Sequence, residues 1–549
     1  MDKIGQFVYE RFTPLLPKEQ NAHHPIIIAG GGPVGLAIAL GLARQGVKSL
    51  VIEADNSVCE GSRAICLSRR SLQILQRLGV LEPFLQKGLP WTTGRSYYKD
   101  VEVLRFDMPY AKTDKLPPMI NIAQYHIEQF LLGGVRQYPH LVDIHWASSV
   151  TQMQAMADGV KLQVTNALGS YEVGANYLVA ADGGQSFVRK SLGLKLEGQA
   201  FTGKFVIVDI ALNSSFPTQR RAWFDCACNP GSTMLMHKQP EGLWRIDYQI
   251  PDDADLEEAI LEVNVRPVVE RHLTSIGEGH LPWTFVWSSA YRAGTMTLQN
   301  YVHERIIFAG NAAHAMPIFG VRGLNSGLED ADNLAWKLAM VVKGEATEKL
   351  LQNYSSERIA AYHVNAYHAG KSTDFMAPGT RGLALMREAA LSLSIGYPSI
   401  ASLLNPRQTS AAAYGVPRML GSYFTDGLQR GYAPVDVPVN APVVAGQEAP
   451  DCSAQGYLLD RIQSRFTLLV LGDNVLTPRT TEQQANAPHD AYLPLDVLHW
   501  SGDANSQPAL SKIWGWSRAY LLRPDGYLVG IYSEISINNA QAAIKTIVN

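Results

Sequence analysis

Ile26-Ile27-Ile28-Ala29-Gly30-Gly31-Gly32-Pro33-Val34-Gly35 is the stretch on which the reading of this chain turns. Its four leading apolar residues, three of them β-branched, suit a short strand buried on both faces of a parallel sheet. Gly30, Gly31, Gly32 and Pro33 end that strand, and from Val34 to Gly46 the pattern is helical. Ser49-Leu50-Val51-Ile52 then supplies a second apolar strand that stops at Glu53, so the segment predicts a β-α-β unit. Pro25 to Ala43 carries no charge and approaches the ~20 apolar residues of a spanning helix. The glycines and proline in its middle would break such a helix, so no membrane span is expected.

Within that unit each position of Gly30-x-Gly32-x-x-Gly35 has a physical task. Gly30 permits a tight turn, Gly32 lets backbone N–H groups approach a pyrophosphate, and Gly35 allows close packing of helix on sheet. Pro33 and Val34 open the helix, whose N-terminus favours negative charge. Glu53, at the end of the next strand, is placed to accept hydrogen bonds from a ribose. Strand, helix and acid together point to a dinucleotide site and leave FAD and NAD undistinguished.

Two distant segments extend this pattern. Asp182-Gly183-Gly184-Gln185-Ser186-Phe187-Val188-Arg189 follows an apolar strand, Tyr177 to Ala181, and Gly310-Asn311-Ala312-Ala313-His314 follows another, Arg305 to Ala309. Ligands of open parallel sheets collect at the carboxyl ends of the strands, so three such loops can meet one cofactor longer than a mononucleotide. The plain alternative is that Asp182 and Asn311 only form turns.

The chain has 549 residues, more than the roughly 50 to 250 of one domain, so two or three domains are expected. With 46% hydrophobic residues, 18% charged and a net charge of -3, the composition is globular and gives no sign of a nucleic-acid partner. Cys59, Cys66, Cys226, Cys228 and Cys452 are odd in number and lack a C-x-x-C spacing, which argues against a disulfide framework or a metal site and fits a reducing cytoplasm. The N-terminal Met1-Asp2-Lys3 mixes charges where a secretory signal would carry an apolar core. Between about Phe205 and Tyr291 alternating stretches such as Phe205 to Ile210 and Trp244 to Gln249 predict a mixed or antiparallel sheet inserted into the first domain. Leu324, Leu328, Ala331, Leu334, Ala335 and Leu338 recur at helical spacing, and Val437 to Gln447 reads as a linker. Beyond it, Phe466 to Leu471, Ala519 to Leu522 and Tyr527 to Tyr532 read as strands, the last two joined by an Asp525-Gly526 turn.

Asp182-Gly183-x-x-Ser186-x-x-Arg189, the Gly310 motif and Pro317-x-x-Gly320-x-Arg322-Gly323-x-Asn325-Ser326-Gly327-x-x-Asp330, in this order, resemble the single-component (class A) FAD-dependent aromatic hydroxylases, the family of the phenol and hydroxyphenylpropionate hydroxylases. The likeness covers roughly residues 24 to 375. It implies an α/β fold: a Rossmann-like FAD-binding domain of the glutathione-reductase type, an inserted mixed β-sheet substrate domain and a C-terminal thioredoxin-like domain. The division expected is an N-terminal extension at 1–22, the FAD-binding domain at 23–200 and 290–375, the substrate sheet at 201–289, a helical segment and linker at 376–435, and the thioredoxin-like domain at 436–549. Arg63 and Gln124 resemble family residues that contact FAD, and Asp182 resembles an acid serving both FAD and NAD(P)H. Gly310 and Asn311 take the ribityl position, and Pro317, Gly323, Leu324 and Asn325 lie along the flavin ring. The family usually has Asp where this chain has Asn311; an amide keeps an acceptor and gives up a charge.

The activity implied is hydroxylation of a small phenolic or related aromatic substrate with NAD(P)H and O2 through a C4a-hydroperoxyflavin. A phenol reacts better once deprotonated, and the residues considered for that task are His237, Arg245, Asp247, Tyr248 and Tyr291. Arg245, Asp247 and Gln249 share one strand face while Tyr248 points to the other. His314 is read as a helix-start residue beside the cofactor, and Cys226 and Cys228 as buried free thiols on one side of a strand. Cys452 stands alone in the last domain, so that domain is expected to pack or oligomerise, as in a homodimer, and not to perform dithiol chemistry. Epoxidation, Baeyer-Villiger insertion, a non-catalytic flavin- or ligand-binding role and an NAD-dependent dehydrogenase are the competing readings; the last leaves the Asp182 and Gly310 motifs without a purpose.

Overall fold

The structure is a computed structural model that describes residues 7–17, 21–111, 114–404, 449, 457–462, 464–473, 475–476 and 493–549. The strand Ala22–Ala29 runs parallel to Ser49–Ile52 on one side and to Gly169–Ala180 on the other. Along the main path of this eight-stranded sheet the order is Val302–His303, Ile306–Phe308, Gly169–Ala180, Ala22–Ala29, Ser49–Ile52, Val142–His145, and Gly159–Asn166 with Ser148–Met156 branch from Gly169–Ala180 as antiparallel strands. Ile26, Ile27 and Ile28 are fully buried, as residues of a central parallel strand should be. The register pairs Ala29 with Ala180 and Ala180 with Phe308. Three strand ends therefore stand side by side, and the loops that leave them begin at Gly30, Ala181 and Ala309.

The helix Pro33–Arg44 packs on the helix Gly323–Val342 at a close crossing, where a Cβ on Gly41 would come within 2.6 Å of the Ala335 methyl. Two further helices, Lys349–Met376 and Arg381–Gly396, follow. Among the described residues no helix is long and apolar enough to cross a membrane.

A second eight-stranded sheet runs in the order His314–Ala315, Trp283–Thr297, Glu197–Leu212, Leu243–Ile250, Asn229–Lys238, Arg220–Cys226, Thr93–Tyr98, Val101–Asp107. It reaches beyond residues 201–289 because Thr93–Tyr98 joins Arg220–Cys226 in parallel, a pairing no local pattern announces. Val206, Val208, Met234, Met236, Trp244, Ile246 and Tyr248 form the core on one face, closed by Val265, Val269 and Leu273 of the helix Glu262–Ser275. Ile207, Asp209, Leu235, Arg245 and Asp247 alternate with them on the opposite face.

Cys226 and Cys228, expected as free thiols sharing a strand face, are joined in a disulfide with Cα atoms 5.3 Å apart. The strand does not continue through them: pairing shifts after Phe224, Asp225 takes φ +54, and Cys226 pairs with Asn229. The two cysteines thus sit in a hairpin turn, where simple alternation fails. Cys59 and Cys66 are free.

A four-stranded sheet, Leu495–Trp500, Phe466–Leu471, Arg518–Leu522 and Leu528–Tyr532, ends the chain with the helices Pro508–Trp514 and Ile537–Val548. The Asp525-Gly526 turn joins its last two strands, with Gly526 at φ +77. Residues Val437 to Gln447 and Cys452 lie outside the described residues.

Candidate active site

One cavity of about 750 Å3 runs from the three strand-end loops to the inner face of the second sheet. At its first end, Gly30 adopts φ +104, and a Cβ there would lie 2.4 Å from the Ala181 carbonyl, so the first two loops touch only because residue 30 is glycine. A Cβ on Gly35 would meet the Gly30 carbonyl at 2.0 Å; Gly35 is a packing position and does not line the cavity. Gly32 is different: a Cβ added there meets nothing within 4 Å. It precedes the helix at Pro33, whose first turn has no side-chain cap, leaving backbone donors turned to the cavity.

Glu53 also lines this end. Its carboxylate accepts from the backbone N–H of Gly31 at 2.5 Å and of Asp55 at 2.8 Å, while burial outweighs those bonds and raises its pKa. Asp182 accepts from the Val188 N–H at 3.1 Å through one oxygen, and its other oxygen is buried without a partner. A buried acceptor left open is costly unless a ligand donor meets it. Pro33, Val34, Arg63, Gln124, Gly310, Asn311, Pro317, Gly323, Leu324 and Asn325 line the same space. Asn325 holds it together as well: its oxygen accepts from the Ser68 N–H and the Ser71 hydroxyl, and its amide donates to the carbonyls of Cys66 and Val321.

Two buried charges lock the loops to each other. Arg189 donates to the carbonyls of Gly184 and Ala312, tying the Asp182 loop to the Gly310 loop. Asp330 accepts from the Gly310 N–H at 2.9 Å, from His314 Nε2 at 2.6 Å and from Arg358 Nε at 2.6 Å. Burial pushes the Asp330 carboxyl up, but His314 and Arg358 outweigh it and hold its pKa below the ordinary value. His314 is committed to that pair and lies off the cavity. No spacing in the sequence announced the Asp330–Arg358 pair, because its partners come from two helices.

The far end of the cavity is walled by the second sheet and by Ile318 and Phe319. Arg245 binds Asp209 through two bonds of 2.8 and 2.7 Å and donates to the carbonyls of Ser62 and Arg63. It joins the sheet to the loop carrying Arg63, and most of its donors are spent. His237 lines the cavity, and burial first, then Arg220 and Arg245, hold its pKa well below the usual value, so the imidazole is neutral. Tyr291 does not line the cavity; it stacks on Phe205 at 5.4 Å with its hydroxyl sealed and unpartnered. Tyr248 belongs to the core on the other face.

Asp247 and Arg220 complete this end. Burial, only partly offset by Arg245 and Arg220, raises the Asp247 carboxyl to about 7. Burial likewise lowers the Arg220 guanidinium to about 10. Arg220 escaped sequence reasoning, since its place in the site is set by the pairing of its strand with Asn229–Lys238 on one side and Thr93–Tyr98 on the other. Among the described residues no group of three or more His, Cys, Asp and Glu is arranged to hold a metal ion.

The family model described as an FAD binding domain matches residues 23–365. A 3-(3-hydroxy-phenyl)propionate/3-hydroxycinnamic acid hydroxylase of Escherichia coli O139:H28 is 30% identical over 334 residues, covering 61% of this chain and 59% of that protein. One of the same description from Klebsiella pneumoniae (strain 342) is 29% identical over 341 residues, with the same coverage. The match thus spans about three fifths of these relatives' length. Among solved structures, the flavin-dependent monooxygenase PieE superposes with a TM-score of 0.75 at 21% identity, over 96% of this chain and 99% of that one. Aklavinone-11 hydroxylase gives 0.71 at 20%, over 97% and 100%. Anhydrotetracycline hydroxylase OxyS of Streptomyces rimosus gives 0.67 at 24%, over 95% and 99%.

Proposed function

Because the chain belongs to the family defined by this FAD binding domain, we propose that it is an FAD-dependent monooxygenase that uses NAD(P)H and O2 to hydroxylate a phenolic or related aromatic substrate. The observation that supports this reading best is the single cavity, glycine loops at one end and a titratable, walled recess at the other. The cradle suits FAD: space where a Gly32 Cβ would stand, an uncapped helix start, and an open Asp182 oxygen. When bound, FAD would supply the oxidation of NAD(P)H and the activation of O2.

The residues then divide the remaining work. Gly32 and Val34 would present backbone N–H donors to the pyrophosphate beside Pro33, which opens the helix without an N–H of its own, and Glu53 would accept from the ribose. Asp182, Gly310 and Asn311 line the ribityl stretch, and Pro317, Gly323 and Leu324 line the ring. Ile207, Leu235, Ile318 and Phe319 keep water out, which limits wasteful decay of activated oxygen. Asp247, with a pKa near the working pH, takes the phenol proton on a carboxylate oxygen, and neutral His237 lies beside it in the recess. Arg245 acts as a positioning residue through Asp209 and the Ser62-Arg63 carbonyls. The second sheet serves as the substrate domain, and residues 436–549 as a thioredoxin-like domain that packs without dithiol chemistry.

Recombinant protein supplied with FAD should be yellow and should melt at a higher temperature than the FAD-free form. Phenol-stimulated NAD(P)H oxidation, matched by hydroxylated product, should accompany it. A colourless protein with no FAD-dependent thermal shift sinks the reading. Gly32→Ala adds a methyl to open space at φ -70, so unfolding of the FAD-free protein should change by less than about 0.5 kcal/mol. The same methyl enters the pyrophosphate cradle, and the FAD dissociation constant should rise at least ~10-fold, worth ~1.4 kcal/mol, in a fluorescence titration.

A further inference from the structure

Residues 7–17 run without helix or strand and bond to the loop 54–63, which divides its own residues between two sides. Ala54, Asp55, Ser57, Cys59 and Arg63 line the cavity; Asn56, Glu60 and Gly61 do not, and these are the residues that meet the N-terminal segment. The Asn56 carbonyl accepts from the Phe12 N–H at 2.8 Å and its side-chain oxygen from Arg11 at 2.9 Å. Arg11 also pairs with Glu60, and the Gly61 N–H donates to the Tyr9 hydroxyl at 3.3 Å. Aromatic rings anchor the segment near both ends, with Phe7 meeting Tyr125 at 4.5 Å and Phe12 stacked on Trp146 at 4.3 Å. The second sheet holds the same loop: Arg245 binds the carbonyls of Ser62 and Arg63, and Trp287 lies so close to Gly61 that a Cβ there would come within 2.2 Å of the indole.

A loop without secondary structure gives up conformational freedom when it closes on a ligand, and the loss lowers affinity unless the loop is held beforehand. We propose that residues 7–17 are a positioning strap for FAD. By holding Asn56, Glu60 and Gly61 from one side, they fix Asp55, Ser57, Cys59 and Arg63 as a cavity wall and slow the departure of the bound dinucleotide. The inference rests on the FAD reading and gives a role to a segment that precedes the matched residues 23–365. The Arg11–Glu60 pair contributes little, with side chains 52% and 64% exposed. Tyr9 is the sharper contact, because its ring packs against the core of the first domain while its hydroxyl fixes the N–H of Gly61, a residue in the left-handed region at φ +73.

Release of FAD from the loaded protein, followed by the rise of flavin fluorescence on dilution, tests the proposal in the full chain, in Tyr9→Phe and in a chain begun at Lys18. Tyr9→Phe keeps the ring and removes the acceptor, so release should quicken by ~3-fold or more, and the shortened chain should lose FAD at least ~10-fold faster. Association should stay within ~3-fold of the parent, so the dissociation constant rises with the rate of release. In FAD-free Tyr9→Phe, amide exchange across residues 55–63 should quicken while the melting temperature holds, a pattern that a general loss of stability does not give. Unchanged release from Tyr9→Phe overturns the proposal, whether or not the shortened chain folds. Entry accelerated as much as release overturns it too, since the strap would then be a gate. Failure of the full chain to take up FAD sinks the monooxygenase reading and the strap together, whereas unaltered release from a variant of a chain that does bind FAD sinks the strap alone.

Discussion

Replacing Asp247 with Asn is expected to stabilise the protein above pH 7 while removing most hydroxylation. Burial raises this carboxyl from its ordinary range to about 7, and the raised value means that the folded state resists its ionisation. Its favourable contribution is complete below the unfolded pKa near 4 and is lost as pH rises through about 7. The displacement corresponds to an upper limit of about 4 kcal/mol. Asn cannot ionise, so urea unfolding at pH 5, 6, 7 and 8 should show the variant gaining on the parent, by ~2–4 kcal/mol at the top of the series. A gap that does not change with pH would mean that Asp247 is already neutral, or paired, throughout.

The same substitution removes the proton acceptor proposed for the phenol. General-base groups contribute about 10^2 to 10^4-fold, so product formation should fall by at least ~100-fold while FAD binding persists. NAD(P)H would still be consumed, with hydrogen peroxide replacing product. In the parent, kcat/KM for a phenol should rise with pH along a limb near 7, and Asp247→Asn should lack that limb. Unchanged coupling in the variant would move the base elsewhere and leave His237 as the next residue to test.

What the sequence revealed, and what it did not, follows from distance along the chain. The strand, glycine turn and helix from Ile26 to Arg44 are local, and their hydrophobic spacing and turn chemistry are legible without neighbours. The placement of the Asp182 and Gly310 loops beside them needed one further premise, that parallel strands gather ligands at their carboxyl ends. The second sheet was legible as strands and not as a site. Glu197–Leu212 and Trp283–Thr297 pair with register shifts after Ala200 and after Asp209, and each shift resets which side chains face the recess. Tyr291 accordingly lies opposite Phe205 inside packed aromatics, while Asp247, only one of several polar residues on its strand, faces the cavity. The Cys226–Cys228 disulfide was hidden by the same kind of local irregularity.

Substitution at the two ends of the helix Gly323–Val342 should separate cofactor binding from domain packing. Near its start, Asp330 balances His314 and Arg358 and also fixes the Gly310 N–H. Asp330→Asn leaves Glu329 alone to balance the buried Arg358, and breaking a buried pair of this kind typically costs ~3–5 kcal/mol. The depressed pKa of Asp330 gives the sign: its stabilisation is present at neutral pH and is lost only as pH falls below the ordinary carboxylate range, so the deficit should be full at pH 7 and shrink in acid. With the Gly310 loop released, FAD affinity should drop by at least ~10-fold. Further along, Glu357 from the next helix binds Lys337 at 2.7 Å and both nitrogens of Arg523 at 2.6 and 3.0 Å, and Asp525 beside Arg523 receives Trp336 and Asn333. Arg523 and Asp525 belong to the turn of the C-terminal sheet, so this network is the clamp that docks that domain. Glu357→Gln leaves Asp525 alone with two buried cations; Lys337, already lowered to about 8 by burial, should lose its proton more readily. A stability loss comparable to that of Asp330→Asn is expected, with early proteolytic release of the C-terminal region and FAD affinity within ~3-fold of the parent. If both variants lose FAD equally, the helix transmits strain along its whole length, and the C-terminal domain is part of the cofactor site in all but contact.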